Sequence, residues 1–96
     1  MAEKDIYALP ARVTVDLVEE IRQQLSNLLH GQERRVEVSG ENVSVVDAAG
    51  LQLLISFYKS VNKDKKQLMI IDPSLEFSTI LAYSGADKVL LSGEGN

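Results

Sequence analysis

No cysteine occurs in this chain, and that single absence excludes a disulfide frame, thiol catalysis and the common zinc ligand sets. A reducing, cytoplasmic setting suits such a sequence. Long apolar runs are missing as well: no stretch approaches the roughly 20 residues of a membrane-spanning helix. Met1 to Ile6, charged at Glu3, Lys4 and Asp5, lacks the apolar segment of a secretory signal. Direct membrane insertion is not expected. Cations are outnumbered, 10 Lys and Arg against 14 Asp and Glu, for a formal charge of −4 and a pI near 4.9. Nucleic-acid binding, which needs clustered Lys and Arg, is not expected either. Neither a glycine-rich phosphate loop, a nucleophile beside a base, nor a pair of carboxylates in a cleft can be picked out. The chain is therefore read as having no catalytic residue, metal ligand or cofactor.

What is present is a 96-residue chain, 45% apolar, which is enough for one core and too little for two. A single domain over 1–96 is expected, with its core about 6–91. Ile6 to Leu9 form a short strand ended by Pro10. From Val15, apolar residues at Val15, Val18, Ile21, Leu25 and Leu28 draw a helical stripe. Thr14, or Asp16 paired with Glu19, would start that helix, and Gly31 would stop it. Arg35 to Ser39 alternate as a half-buried strand, and Gly40-Glu41-Asn42 form a loop. A second helix is predicted from Ala48 to about Val61, burying Leu51, Leu54, Ile55, Tyr58 and Val61. Leu68 to Ile71 look like a strand covered on both faces. Asp72-Pro73-Ser74 cap a third helix, with Leu75, Ile80 and Leu81 inward and Gly85 at its end. Val89 to Leu91 are a last short strand or helix end before a polar tail from Ser92 to Asn96. The alternation implies an α/β fold: a mainly parallel, open sheet of about four strands flanked by helices.

The most informative segment is Val43-Ser44-Val45-Val46-Asp47-Ala48-Ala49-Gly50-Leu51. A β-branched run meets an Asp suited to capping a helix, and the first turn of that helix is unusually small. This segment resembles the STAS family pattern Val-Ser-Phe-Ile-Asp-Ser-Ser-Gly-Leu, which stands between a parallel strand and the second helix. The likeness extends over roughly residues 6 to 91, and its Asp-x-x-Gly-Leu core is the specific part. The chain is similar to bacterial anti-sigma-factor antagonists of this family, and the resemblance implies a non-catalytic module that engages a protein partner through the start of the second helix. In those antagonists the residue before the Gly is a Ser or Thr phosphorylated by a partner kinase. Here Ala49 stands in its place, and Ala has no hydroxyl to accept a phosphoryl group.

The resemblance thus assigns partner binding to Asp47, Ala48, Ala49, Gly50, Leu53, Ser56 and Phe57. It implies no phosphorylation at Ala49, with Ser44 and Ser78 as conceivable other acceptors. The partner it implies is a kinase-like anti-sigma factor or a chemosensory protein, and a homodimer is compatible with it. The alternative is a STAS subunit held by the ATPase of a lipid-transporting ABC complex. Leu53 and Phe57 lie about 40° and 80° around the helix from Ala49. They would close the core against the third helix or form an exposed docking patch. Leu53 is expected nearer the patch and Phe57 nearer the core. His30 is an ordinary helix-end imidazole, Lys63, Lys65 and Lys66 a solvated loop, and Glu19, Glu20 and Arg22 a soluble helix face.

Overall fold

The computed structural model describes residues 6–91; the charged N-terminal segment and the polar tail read from the sequence lie outside them. The chain runs β1 (Ile6–Ala8), β2 (Arg12–Val13), α1 (Val18–Leu29), β3 (Arg35–Ser39), β4 (Val45–Val46), α2 (Ala48–Lys63), β5 (Gln67–Ile71), α3 (Leu75–Ser84) and α4 (Asp87–Leu90). The expected α/β class is present, and every strand pair is parallel. The strands divide into a three-stranded sheet of order β1-β3-β5 and a separate pair, β2-β4. Pro10 marks the division, because it has no N–H to continue a ladder. Before it, the Leu9 amide still donates to the Ser39 carbonyl at 2.9 Å. After it, the Ala11 carbonyl accepts from the amides of Ser44 and Val45 on the way to β4.

Register sorts the sheet residues. Tyr7, Val38 and Ile70 form one row across the three strands, with Val36 beside Leu68 below it. These face the core, where Val36, Val38 and Leu68 are buried among Ile21, Leu25, Leu54 and Val61. The intervening row of Ile6, Glu37 and Met69 lies outside that cluster. The helices close the core as α1 packs on β1 and α2, α2 and α4 on β5, and α3 on β4 and α4. β5 is therefore an edge strand, and of its residues only Leu68 is buried. Its apolar run had suggested cover on both faces, but the core lies on one: Leu68 and Ile70 meet it, while Met69 on the opposite face lies outside the cluster.

Local signals are obeyed where the chemistry is local. The Ser74 hydroxyl accepts the Phe77 amide at 3.0 Å and so caps α3. Gly85 ends that helix at φ 81°, in the left-handed region that glycine tolerates. The Val89 segment resolves as α4. Three expectations fail. α1 begins at Val18 rather than Val15, with no side-chain cap, because Asp16 accepts the Thr14 hydroxyl instead and Val15 is drawn out as an exposed turn residue. Leu75 points to solvent, and Phe77 takes the inward place in α3. Lys66 is not simply solvated: its ammonium donates to the Leu29 and Gly31 carbonyls, 2.6 Å each, and ties off the end of α1.

The tightest approach in the fold is that of β2 to the first turn of α2. A Cβ placed on Gly50 would stand 1.9 Å from the Val13 carbonyl oxygen. Only a residue without a side chain lets the strand lie there. Gly50→Ala should accordingly lower stability by about 1–3 kcal/mol, as overpacking against rigid backbone does. Urea unfolding followed by circular dichroism checks this, and an unchanged midpoint would contradict the contact.

Candidate functional site

The site is built around Asp47, at the turn from β4 into α2. Its backbone is extended, φ −96° and ψ −177°, as a helix cap requires. One carboxylate oxygen accepts the Gly50 amide at 2.8 Å, closing the first turn of α2. The other accepts the Val15 amide at 2.9 Å, across 32 residues of sequence. Its own amide donates to the Val13 carbonyl at 3.2 Å. Asp47 is thus a cap and also the staple between α2 and the turn that leads into α1. The sequence predicted the first role and carried no sign of the second.

These amides set the acidity of the group. The Gly50 amide, and next the Val15 amide, hold the Asp47 carboxyl below the usual carboxylate range, while partial loss of water and the neighbouring charge of Asp16 act in the opposite direction. Asp16 is lowered too, first by the Thr14 hydroxyl. Both carboxylates are therefore charged at neutral pH, and Arg12 lies 3.7 Å from Asp16.

Beyond the cap, Ala48 is exposed, Ala49 half-buried and Gly50 buried. From Ala49 a groove of about 540 Å³ runs between α1 and α2. Leu53 and Phe57 lie along it on α2, and Val18, Leu25 and Leu29 on α1. Ser56 and Ser60 on α2 and Arg22 on α1 stand exposed at its margins. The structure thus brings Ala49, Leu53, Ser56 and Phe57 together along one wall. Leu53 and Phe57 are each only 7% exposed and belong to the core cluster. The expected split between them does not occur, nor do they close against α3. α1 covers that flank of α2, which angles on a single helix cannot reveal. Leu51, Ile55 and Tyr58, expected to be buried, are only half-buried for the same reason. The α1 wall went unrecognised, although Arg22, Ser26 and Leu29 form a row beside the predicted stripe at spacings of four and three.

Ser44, the other acceptor considered, is exposed, and its hydroxyl donates to the Ala11 carbonyl at 3.2 Å. Ser78 is half-buried in α3. His30 Nδ1 sits 2.8 Å from the Ser26 carbonyl, a local helix-end contact. Among the described residues no group of three or more acidic or imidazole side chains could hold a metal ion, and no helix is long and apolar enough to cross a membrane.

An open α/β domain of parallel strands, presenting a small-residue helix start beside a two-helix groove, is the class that fold and site define. The chain belongs to the STAS domain family: the family model described as "Mlab, STAS domain" matches residues 6–92. It is 27% identical over 93 residues to the anti-sigma-B factor antagonist of Staphylococcus aureus, covering 97% of this chain and 78% of that protein. Among solved structures it is similar to a sulfate transporter family protein from Wolinella succinogenes, with a TM-score of 0.76 and 20% identity over 90% of this chain and 70% of that one. It is also similar to the anti-sigma factor antagonist SpoIIAA in its unphosphorylated form, with a TM-score of 0.71 and 17% identity over 93% and 80% of the two chains. The fold is therefore that of the STAS domain.

Two outcomes test this geometry. Leu53→Ala and Phe57→Ala should each cost about 2–5 kcal/mol in urea unfolding, as truncations in a core do; a variant as stable as the parent would return that side chain to the surface. Asp47 has a folded pKa below its unfolded value near 3.9, so its stabilising contribution is present above that value and is lost as pH falls through the folded pKa. The gap in midpoint between the parent and Asp47→Asn should stay constant from about pH 7 to 5 and narrow only as the pH falls below about 4, towards the folded pKa. A gap independent of pH would show that the carboxylate charge plays no part.

Proposed function

We propose that this protein is a non-catalytic regulatory module of the anti-sigma-factor-antagonist type, working in the cytoplasm by binding a protein partner through the opening of α2. The observation that carries this reading is the conjunction at Ala48 and Ala49: a small, accessible helix start, held rigid by Asp47, at the head of an apolar groove. The proposed contact set is Ala48, Ala49 and the exposed margin at Ser56. Asp47 and Gly50 position that surface, and Leu53 and Phe57 support it from beneath. A kinase-like anti-sigma factor or a chemosensory protein is the proposed partner.

Ala49 makes the binding constitutive, because the position has no hydroxyl for a kinase to modify. That same lack favours a second reading, in which the domain is a permanent subunit held by the ATPase of a lipid-transporting ABC complex. A switch would serve no purpose in such a subunit.

The parent chain and Ala49→Asp, used as baits in extracts of the native cell and read by mass spectrometry, separate these readings. A carboxylate in the first turn suits the helix dipole, so the variant should fold as the parent does. In a desolvated interface it would be unpaired, and affinity should fall by about 2–5 kcal/mol, enough to remove the partner from the capture. Recovery of a histidine kinase or anti-sigma factor supports the first reading, and recovery of transporter components the second. The same partner recovered equally by both baits would take the start of α2 out of the interface.

A further inference from the structure

α3 is apolar on more than the face it buries. Phe77 and Leu81 are fully buried, yet Leu75 is 80% exposed and Tyr83 96%. Leu75, Thr79 and Tyr83 recur every four residues and so form one row along the outer side of the helix. Near its C-terminal end Thr79, Ile80, Tyr83 and Ser84 line a shallow hollow of about 370 Å³. Leu75 projects one turn before that hollow. Single exposed apolar side chains are ordinary on a surface, but a contiguous row with an adjoining hollow marks a face that another element covers.

We propose that this face pairs with the same face of a second copy. The two α3 helices would run antiparallel about a two-fold axis near Thr79, each Leu75 seated in the hollow of the other. A two-fold interface needs knob and hole on one patch, since the same surface serves both partners. α3 supplies both, and a hole made by four side chains is the one a leucine knob fills between packed helices. Charge selects the antiparallel order. Asp72 and Glu76 are exposed at the start of α3, and Lys88 is exposed just beyond its end. Lys88 is neighboured by Asp87, so the discrimination comes from the acids: antiparallel packing keeps Asp72 and Glu76 of the two copies apart, whereas parallel packing would set them together. The contact is small: ten residues of helix span about 15 Å, so the buried area falls below the roughly 1,200 Å² of stable complexes. The pairing is accordingly weak and concentration-dependent. It stands apart from the function proposed above, because α3 contributes nothing to the groove between α1 and α2.

Sedimentation velocity on the full chain, over dilutions from millimolar to micromolar, should show the mean mass fall from towards dimer to monomer. Leu75→Glu and Tyr83→Glu should stay monomeric throughout and melt as the parent does, because both side chains are exposed. Ala49→Asp should dimerise like the parent, which keeps this result separate from that of the capture experiment. Orientation can be read by crosslinking, since the chain has no cysteine of its own. Facing Cα atoms of helices packed about 8–10 Å apart come within disulfide reach. Thr79→Cys should therefore form a covalent dimer on mild oxidation. Leu75→Cys should do so only when mixed with Tyr83→Cys. The proposal is overturned by a parent chain that is monomeric at every concentration, by dimers that survive Leu75→Glu, or by Leu75→Cys that crosslinks to itself as readily as Thr79→Cys. A monomeric parent whose captured partner is lost on Leu75→Glu would assign the face to that partner and overturn it equally.

Discussion

Everything at the site depends on the contact between β2 and the first turn of α2. The Val13 carbonyl accepts the Asp47 amide, and the Asp47 carboxylate then holds the amides of Val15 and Gly50. Strand and helix can meet this closely only because Gly50 has no side chain. The contact is short-range in space and long-range in sequence. It fixes where the chain turns into α1, and hence where α1 lies against α2. The groove between the two helices follows from that placement.

The same arrangement explains how a small domain can hold a helix start stiffly in place. Small side chains at a helix start would ordinarily leave it poorly defined, since they bring little packing of their own. Here the definition comes from backbone groups instead: two amides bound by one carboxylate, one carbonyl bound by an amide, and a strand lying against glycine. Ala48 and Ala49 are then free to be small. Beneath them Leu53 and Phe57 join the core, so that the accessible surface rests on well-packed side chains. A partner binding there would meet a surface already ordered, and little of its affinity would be spent on ordering it.

α3 follows a different logic. It is capped at both ends by local chemistry, Ser74 at the start and Gly85 at the end, and its buried side chains are Phe77 and Leu81. Leu75 and Tyr83 lie outside, where the core does not need them. Two surfaces of distinct character are thus presented by one compact fold, a rigid helix start with a groove and a protruding helix face.

By itself the sequence determined whatever depends on neighbours along the chain. Asp47 before a small first turn, Ser74 after a proline and Gly85 after an apolar helix all act within a few residues, and each ends or begins a helix where expected. The parallel α/β class followed from the alternation of such elements, and the family from the Asp-x-x-Gly-Leu core. Tertiary structure alone decided which faces were buried. Leu53 entered the core because α1 lies over it, Leu75 left it because Phe77 filled the space beneath Gly40, and β5 is covered on one face only because the core lies on the Leu68 and Ile70 side. It also gave Asp47 its second amide and Lys66 its two carbonyls, partners that lie 32, 37 and 35 residues away. A local pattern records a periodicity and a cap, but the partner across the fold is set by packing, to which residues distant in sequence contribute equally.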